Sequence, residues 1–147
     1  MVADPDRPDA YSDDLITRVL GEAKTIALVG ASPNVARPSY GVMAFLMSRG
    51  HKVIPINPGQ AGKTIHDETV YARLSDVPVA VDLVDVFRDS AAVAGLVDEA
   101  LALPTRPKAI WLQLGVRDDA AAARAEAAGL TIIQNRCPAI EYGRLGL

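Results

Sequence analysis

Several things are scarce in this chain, and each scarcity removes a class of function. It has one cysteine, Cys137, so no intramolecular disulfide can form, and the composition fits a reducing compartment. No apolar run is long enough to span a bilayer, so no membrane partner is expected. Basic residues number 15 against 18 acidic ones, and the net charge of -3 provides no broad cationic field for nucleic acid. The first residues, MVADPDRPDAYSDD, are acidic and contain proline, unlike the cationic and apolar start of a secretory leader. A cytoplasmic location is the expectation. No His, Cys and carboxylate set has metal-ligand spacing, and no Ser–His–Asp or paired-carboxylate arrangement stands out. The expected catalytic and metal sets are therefore both empty.

What is present is a globular composition, with half of 147 residues hydrophobic. That length suits one domain, and no repeat, low-complexity tract or linker divides it. Met1 to Tyr11 reads as a flexible tail and residues 12–147 as a single domain. Ser12 is a candidate N-cap for a helix whose apolar Leu15, Ile16, Val19 and Leu20 recur at helical spacing up to Gly21. Continuous apolar runs at Thr25–Val29 and Lys52–Ile56 read as strands buried on both faces, with a helix over Tyr40–Ser48 between them. A loop with one helical turn is expected over Gln60–Val77, then a strand over Val79–Phe87 and a helix from Ser90 to Leu103. Strands at Ala109–Leu114 and Leu130–Ile133 flank an alanine-rich helix from Asp118 or Asp119, and Cys137–Leu145 closes the chain as a helix. Strands alternating with helices at this spacing imply right-handed βαβ units. The expected fold is a doubly wound α/β sheet of about five parallel strands in three αβα layers.

In such a sheet, ligands bind beyond the carboxyl ends of the strands, near the switch in strand order. The loop after the first strand, GASPNVARPSYG, resembles a dinucleotide fingerprint and departs from it. Gly30 stands at the first glycine, but Ser32 occupies the second and residues 33–38 lengthen the loop. Asn57-Pro58 stands where an acid would hold the ribose hydroxyls of NAD. A phosphate-bearing ligand other than NAD fits better, with Arg37 well placed to meet it. The stretch NPGQAGKT mimics a P-loop, yet Asn57 replaces its first glycine and Pro58 removes an N–H. Lys63 could still reach a phosphate in the same crevice, or stand solvated. Arg88 is either a phosphate ligand or an ion-pair partner of Asp85 or Asp89. Phe87 packs on a base or in the core, Gln113 meets a ligand or loop backbone, and Trp111 belongs to the core. Cys137 sits at a helix N-terminus, where a thiol acidifies, but neither His51 nor His66 lies in a segment that must approach it.

The segments IALVGAS-x5-PS, KVIPINPG followed by GKTI, VDLVDVFR, IWLQLGV and NRCPAIEYGRL, in this order, resemble the small single-domain CoA-binding proteins of bacteria, of the YccU-like type. These proteins are similar to the nucleotide-binding domain of the succinyl-CoA synthetase alpha subunit standing alone. The resemblance implies a Rossmann-like fold that binds coenzyme A. By motif position it implies that Gly30, Ala31 and Ser32 line a phosphate, that Arg37 and Ser39 add donors, and that Asn57 and Pro58 border the adenosine. Phe87 and Arg88 would close one wall and Gln113 would lie near the floor. His66-Asp67 departs from the small residues of the family pattern. The expected function is a CoA or acyl-CoA binding module without catalysis of its own. The alternatives are an NAD(P)-dependent oxidoreductase or a subunit of an acyl-CoA ligase. No motif specifies a protein partner, and a homo-oligomer is one arrangement the sequence allows.

Overall fold

The computed structural model describes residues 11–147. Helix α1 (Asp13–Glu22) begins at Ser12, whose hydroxyl oxygen accepts the Leu15 N–H at 3.1 Å, and Asp13 and Asp14 complement the helix dipole. Its Leu15, Ile16, Val19 and Leu20 form one buried stripe, and full burial of a side chain such as Ile16 is worth ~1.5–3 kcal/mol. Strand β1 (Thr25–Val29), helix α2 (Pro38–Ser48) and strand β2 (Lys52–Ile56) follow. After β2 come two short strands, β3 (Thr64–Ile65) and β4 (Glu68–Thr69). Then come β5 (Leu83–Val86), α3 (Val93–Leu101), β6 (Ala109–Leu112), α4 (Asp119–Ala127), β7 (Thr131–Ile133) and α5 (Pro138–Leu145).

Five strands form one parallel sheet in the order β2-β1-β5-β6-β7, giving a Rossmann-like α/β fold. Alternation along the strands sorts the core into two halves. Ile26, Leu28, Leu83, Ala109, Trp111 and Ile133 pack with α1, α2 and α5. Ala27, Val29, Val84, Val86, Ile110 and Leu112 pack with α3 and α4. Beyond β2 the sheet gains one parallel bridge, Ile56 to Tyr71. Asn57 N–H donates to the Tyr71 carbonyl at 2.9 Å, and Tyr71 N–H to that of Pro55 at 3.1 Å. With that bridge in third place, the strand order is that of the dinucleotide folds, its third strand reduced to one pair. The switch in strand order then falls between β1 and β5.

Several expected boundaries move. Within residues 60–77 the expected helical turn is present, a 3-10 turn at Leu74–Asp76, but the rest is not all loop: β3 and β4 pair as an antiparallel hairpin, Thr64 with Thr69 and Ile65 with Glu68. Its two-residue turn is His66-Asp67, both at positive φ (48° and 64°), a conformation with weak sequence signal for these residue types. The strand expected over Val79–Phe87 is confined to Leu83–Val86. Val79 is exposed because the neighbouring strands begin no earlier than Thr25 and Ala109, so nothing pairs it. For the same reason β6 stops at Leu112 and leaves Leu114 exposed. The helix expected from Ser90 opens as a 3-10 turn, Ser90–Ala92, before α3. Helix α2 starts two residues early, because Pro38 suits a first helical position. Of the tail expected over 1–11, only Tyr11 is described. Its hydroxyl accepts the Gln134 N–H at 2.9 Å, and the Arg136 guanidinium lies 5.7 Å from its ring.

Candidate functional site

The site grows from Gly30, the first residue beyond β1. Gly30 adopts φ +88°, and a Cβ there would lie 2.2 Å from the Phe87 carbonyl oxygen, at the end of β5. Only glycine lets the two chain segments cross so closely at the switch point. The side chain of Arg88 runs over the same spot, with its Cδ 3.1 Å from that Cβ position. Gly30 and Ala31 direct their N–H groups at the Ile56 carbonyl, at 3.0 and 3.2 Å. These two donors therefore hold the loop to β2.

Residues 31–37 brace themselves. Ser32 Oγ accepts the Asn34 N–H at 3.1 Å, and Asn34 Oδ1 accepts the Ala36 N–H at 2.9 Å. Asn57 ties this loop to the next: its Nδ2 donates to the Ala31 carbonyl and its Oδ1 accepts the Gly59 N–H, both at 2.8 Å. Asn135, at φ 59°, does the same between β6 and β7, accepting the Gly115 N–H at 2.7 Å. Helix α2 then opens at Pro38 with Arg37 as N-cap and no side-chain oxygen capping it. An uncapped N-terminus presents partial positive charge to whatever lies in front.

Three adjoining hollows lie here, of about 310, 420 and 570 Å³. The first is lined by Gly30, Ala31, Ser32, Arg37, Ser39 and Asn57, and the second adds Pro58 and Arg88 to Gly30 and Asn57. The third runs from Arg37 and Arg88 to Gln113, with Phe87 common to all three. Of the ligand-binding residues expected from the sequence, only Lys63 lines none of them. It is exposed just before β3, and a strand follows it where a P-loop would start a helix. Pro38, Asp89, Leu114 and Val116 also line the third hollow; they lie in loops at strand carboxyl ends, where a ligand was expected, without having been singled out individually. Arg37 and Arg88 are exposed, and among the described residues neither makes an ion pair. The ion-pair reading of Arg88 with Asp85 or Asp89 is thus not realised. Two unspent guanidiniums beside a helix N-terminus are groups that can meet an anion of phosphate type.

The remaining candidates are engaged elsewhere. Cys137 and Trp111 are buried, and Trp111 Nε1 donates to the Arg136 carbonyl at 2.9 Å. His51 bonds the Ala23 carbonyl and the Tyr142 hydroxyl, while His66 Nε2 bonds the Tyr40 carbonyl at 2.8 Å. Among the described residues, no group of His, Cys, Asp and Glu could hold a metal, and no helix is long and apolar enough to cross a membrane. Asp85 is fully buried within β5, and burial pushes its carboxyl from 3.8 up to about 8.

The family profile described as a CoA binding domain matches residues 24–143. The chain is 31% identical to the YneT protein of Bacillus subtilis (strain 168) over 126 residues, covering 83% of this chain and 87% of that one. A solved structure from Pyrococcus horikoshii OT3 superposes with a TM-score of 0.85 at 32% identity, covering 95% of each chain. One from Thermus thermophilus gives 0.86 at 36% identity, covering 92% of this chain and 99% of the other. The chain belongs to the CoA-binding domain family, as the motif resemblance implied.

Proposed function

We propose that the protein binds coenzyme A, free or acylated, in the crevice at the carboxyl ends of β1, β2, β5 and β6, and acts as a binding or accessory module. The observation that carries this reading is the pair Arg37 and Arg88, exposed and without ion-pair partners among the described residues, which line one hollow together beside the uncapped start of α2. Coenzyme A brings three phosphate groups and a single ribose. It therefore asks for cations and N–H donors, and the lack of a ribose-binding acid at position 57, where Asn57 braces the loops instead, is compatible with that demand. Ser39 at the start of α2, Ser32 in the loop and the Phe87 ring supply further polar and planar surface. Gly30, Ala31, Asn57 and Pro58 shape the walls. Lys63 lies outside the hollows and is left out of this reading. A buried lone cysteine supports a cytoplasmic setting.

Calorimetric titration with CoA, acetyl-CoA, NAD and ATP tests the proposal. CoA or acetyl-CoA should bind most tightly, with an affinity that falls as salt rises. Tighter binding of NAD than of CoA would sink it.

A further inference from the structure

Three polar atoms are buried without a hydrogen-bond partner among the described residues: both carboxyl oxygens of Asp85, and Oε1 of Gln113. An unpaired polar atom in a low-dielectric interior loses its hydration without replacement, so three together call for an explanation. They belong to neighbouring strands. Asp85 of β5 registers with Trp111 of β6, and Gln113 lies two residues further along. The ladder continues through Gln113, whose N–H donates to the Val86 carbonyl at 3.1 Å. Alternation from Leu83 sets Asp85 on the side of α1, α2 and α5, and alternation from Trp111 sets Gln113 on that same side. Diagonal neighbours on one face are within reach of a side chain as long as glutamine. Gln113 also lines the hollow of about 570 Å³ that leads away from Arg37 and Arg88 past Phe87, Leu114 and Val116.

Resting on the CoA reading, we propose that Asp85 donates a proton-borne hydrogen bond to Gln113 Oε1, so that the Gln113 NH₂ group is turned into the hollow to meet a carbonyl oxygen on the ligand's arm. Two acceptors cannot satisfy each other, but a neutral carboxyl is a donor. Burial raises the Asp85 carboxyl from 3.8 to about 8, which favours the protonated, donating form near neutral pH. An ionised Asp85 would instead draw in the Gln113 NH₂ and leave Oε1 facing the crevice, the wrong polarity for a carbonyl. Beyond its phosphates, coenzyme A carries amide carbonyls, and an acyl-CoA adds a thioester carbonyl. The apolar flank of Leu114 and Val116 suits such an uncharged arm. Asp85 is thus a positioning residue, acting on the ligand through Gln113.

Other titratable groups face this region, and all of them remain in Asp85→Asn: Arg37, Arg88 and Asp89 line the hollow, His51 bonds the Tyr142 hydroxyl and His66 the Tyr40 carbonyl. Helix α1 brings Leu15, Ile16, Val19 and Leu20, and α2 brings Met43 and Leu46 with Tyr40 at its start. Helix α5 brings Tyr142 and Glu141, preceded by Cys137. Glu141 is held by Arg136 at 3.3 Å and Arg144 at 3.2 Å.

The test compares coenzyme A with its phosphoadenosine diphosphate portion alone, by calorimetry, on the parent and on Asp85→Asn, Asp85→Leu and Gln113→Leu. The carboxamide introduced by Asp85→Asn can still donate to Oε1, so this variant should keep CoA affinity within about twofold. Asp85→Leu and Gln113→Leu should each lose ~10-fold for CoA, and the portion without the arm should bind all four proteins alike. CoA affinity in the parent should fall between pH 7 and 9, on the order of the Asp85 titration, and stay flat in Asp85→Asn. Equal losses in Asp85→Asn and Asp85→Leu, or a loss shared by the armless portion, would overturn the proposal. If Asp85→Leu does not fold, the pH profile of Asp85→Asn decides. In the ligand-free protein, the Gln113 side-chain amide NMR signal should move with pH in the parent and not in Asp85→Asn. A signal that stays put removes the pair. Parent protein that binds neither CoA nor its armless portion removes the CoA reading instead, while the amide signal still reports on the pair.

Discussion

The two ends of strands β1 and β5 treat charge in opposite ways. At the amino end, Asp82 accepts the Thr25 N–H at 2.9 Å, its own N–H donates to the Thr25 carbonyl at 2.9 Å, and Lys108 lies 3.9 Å from its carboxylate. Asp82 thus binds the backbone of Thr25 on both sides and faces Lys108, so its charge is met within the chain. A hollow of about 230 Å³ does exist at that end, but Leu74, Val77, Pro78, Val81 and Leu103 make much of its wall, and no cation lines it. At the carboxyl end, Arg37 and Arg88 have no acidic partner among the described residues, and the start of α2 has no side-chain cap. Groups that satisfy one another hold a fold together. Groups left unsatisfied beside a concavity are available to a ligand, and that is why the carboxyl end is the one we propose for binding.

The sharpest way to break this contrast is at the crossing point. Gly30→Ala should cost ~2–5 kcal/mol of stability, from backbone strain at φ +88° and from the clash with the Phe87 carbonyl, and should abolish CoA binding. Denaturant unfolding followed by calorimetry reads both. Next in size, Arg37→Ala and Arg88→Ala should each weaken CoA binding by ~10–100-fold and flatten its salt dependence, with little change in melting temperature. Unchanged affinity in both would dissolve the distinction between the two ends.

A smaller, pH-dependent effect concerns Asp85. Its folded value is raised, so between about 4 and 8 the folded protein holds a proton that the unfolded chain has released. Stability from this group is therefore greatest at the acidic edge of that window and is lost as the pH rises towards about 8. The advantage of Asp85→Asn over the parent should accordingly be near zero at pH 4, grow up to pH 8 and then level off, on the order of the window just described. Denaturant midpoints for both proteins across that range measure it. The smallest effect is expected at the amino end. Lys108→Ala should change stability by no more than ~0.5 kcal/mol, because the pair is long and solvated, and should leave CoA affinity untouched.

Much of this arrangement was legible residue by residue. The apolar runs at Thr25–Val29 and Lys52–Ile56 are the strands found, to the residue, because strands buried on both faces leave little room for anything polar. Ser12 caps α1 as its hydroxyl and the following acids suggested. The hairpin of β3 and β4 was not legible, since two residues per strand carry no period and His66-Asp67 is not a glycine turn. Val79 and Leu114 looked like strand because they are apolar, yet pairing ends where the neighbouring strands end. In the site, Gly30, Arg37 and Arg88 could be picked from their places after strands. The spending of the Gly30 and Ala31 donors on Ile56 could not, because the acceptor lies on another strand.

The chain's own pattern was sufficient for the alternation of strands and helices, the parallel sheet and the loops at which a phosphate ligand would gather. Those follow from local periodicity and from turn chemistry within a few residues. Which polar groups remain unspent is a different kind of property. That Arg88 passes over Gly30 without an acid, that Asn57 is consumed in bracing, and that Asp85 and Gln113 lie unpaired on one face all depend on neighbours distant in sequence. A hydrogen bond forms only between atoms brought within about 3 Å, and that proximity exists only once the sheet has assembled.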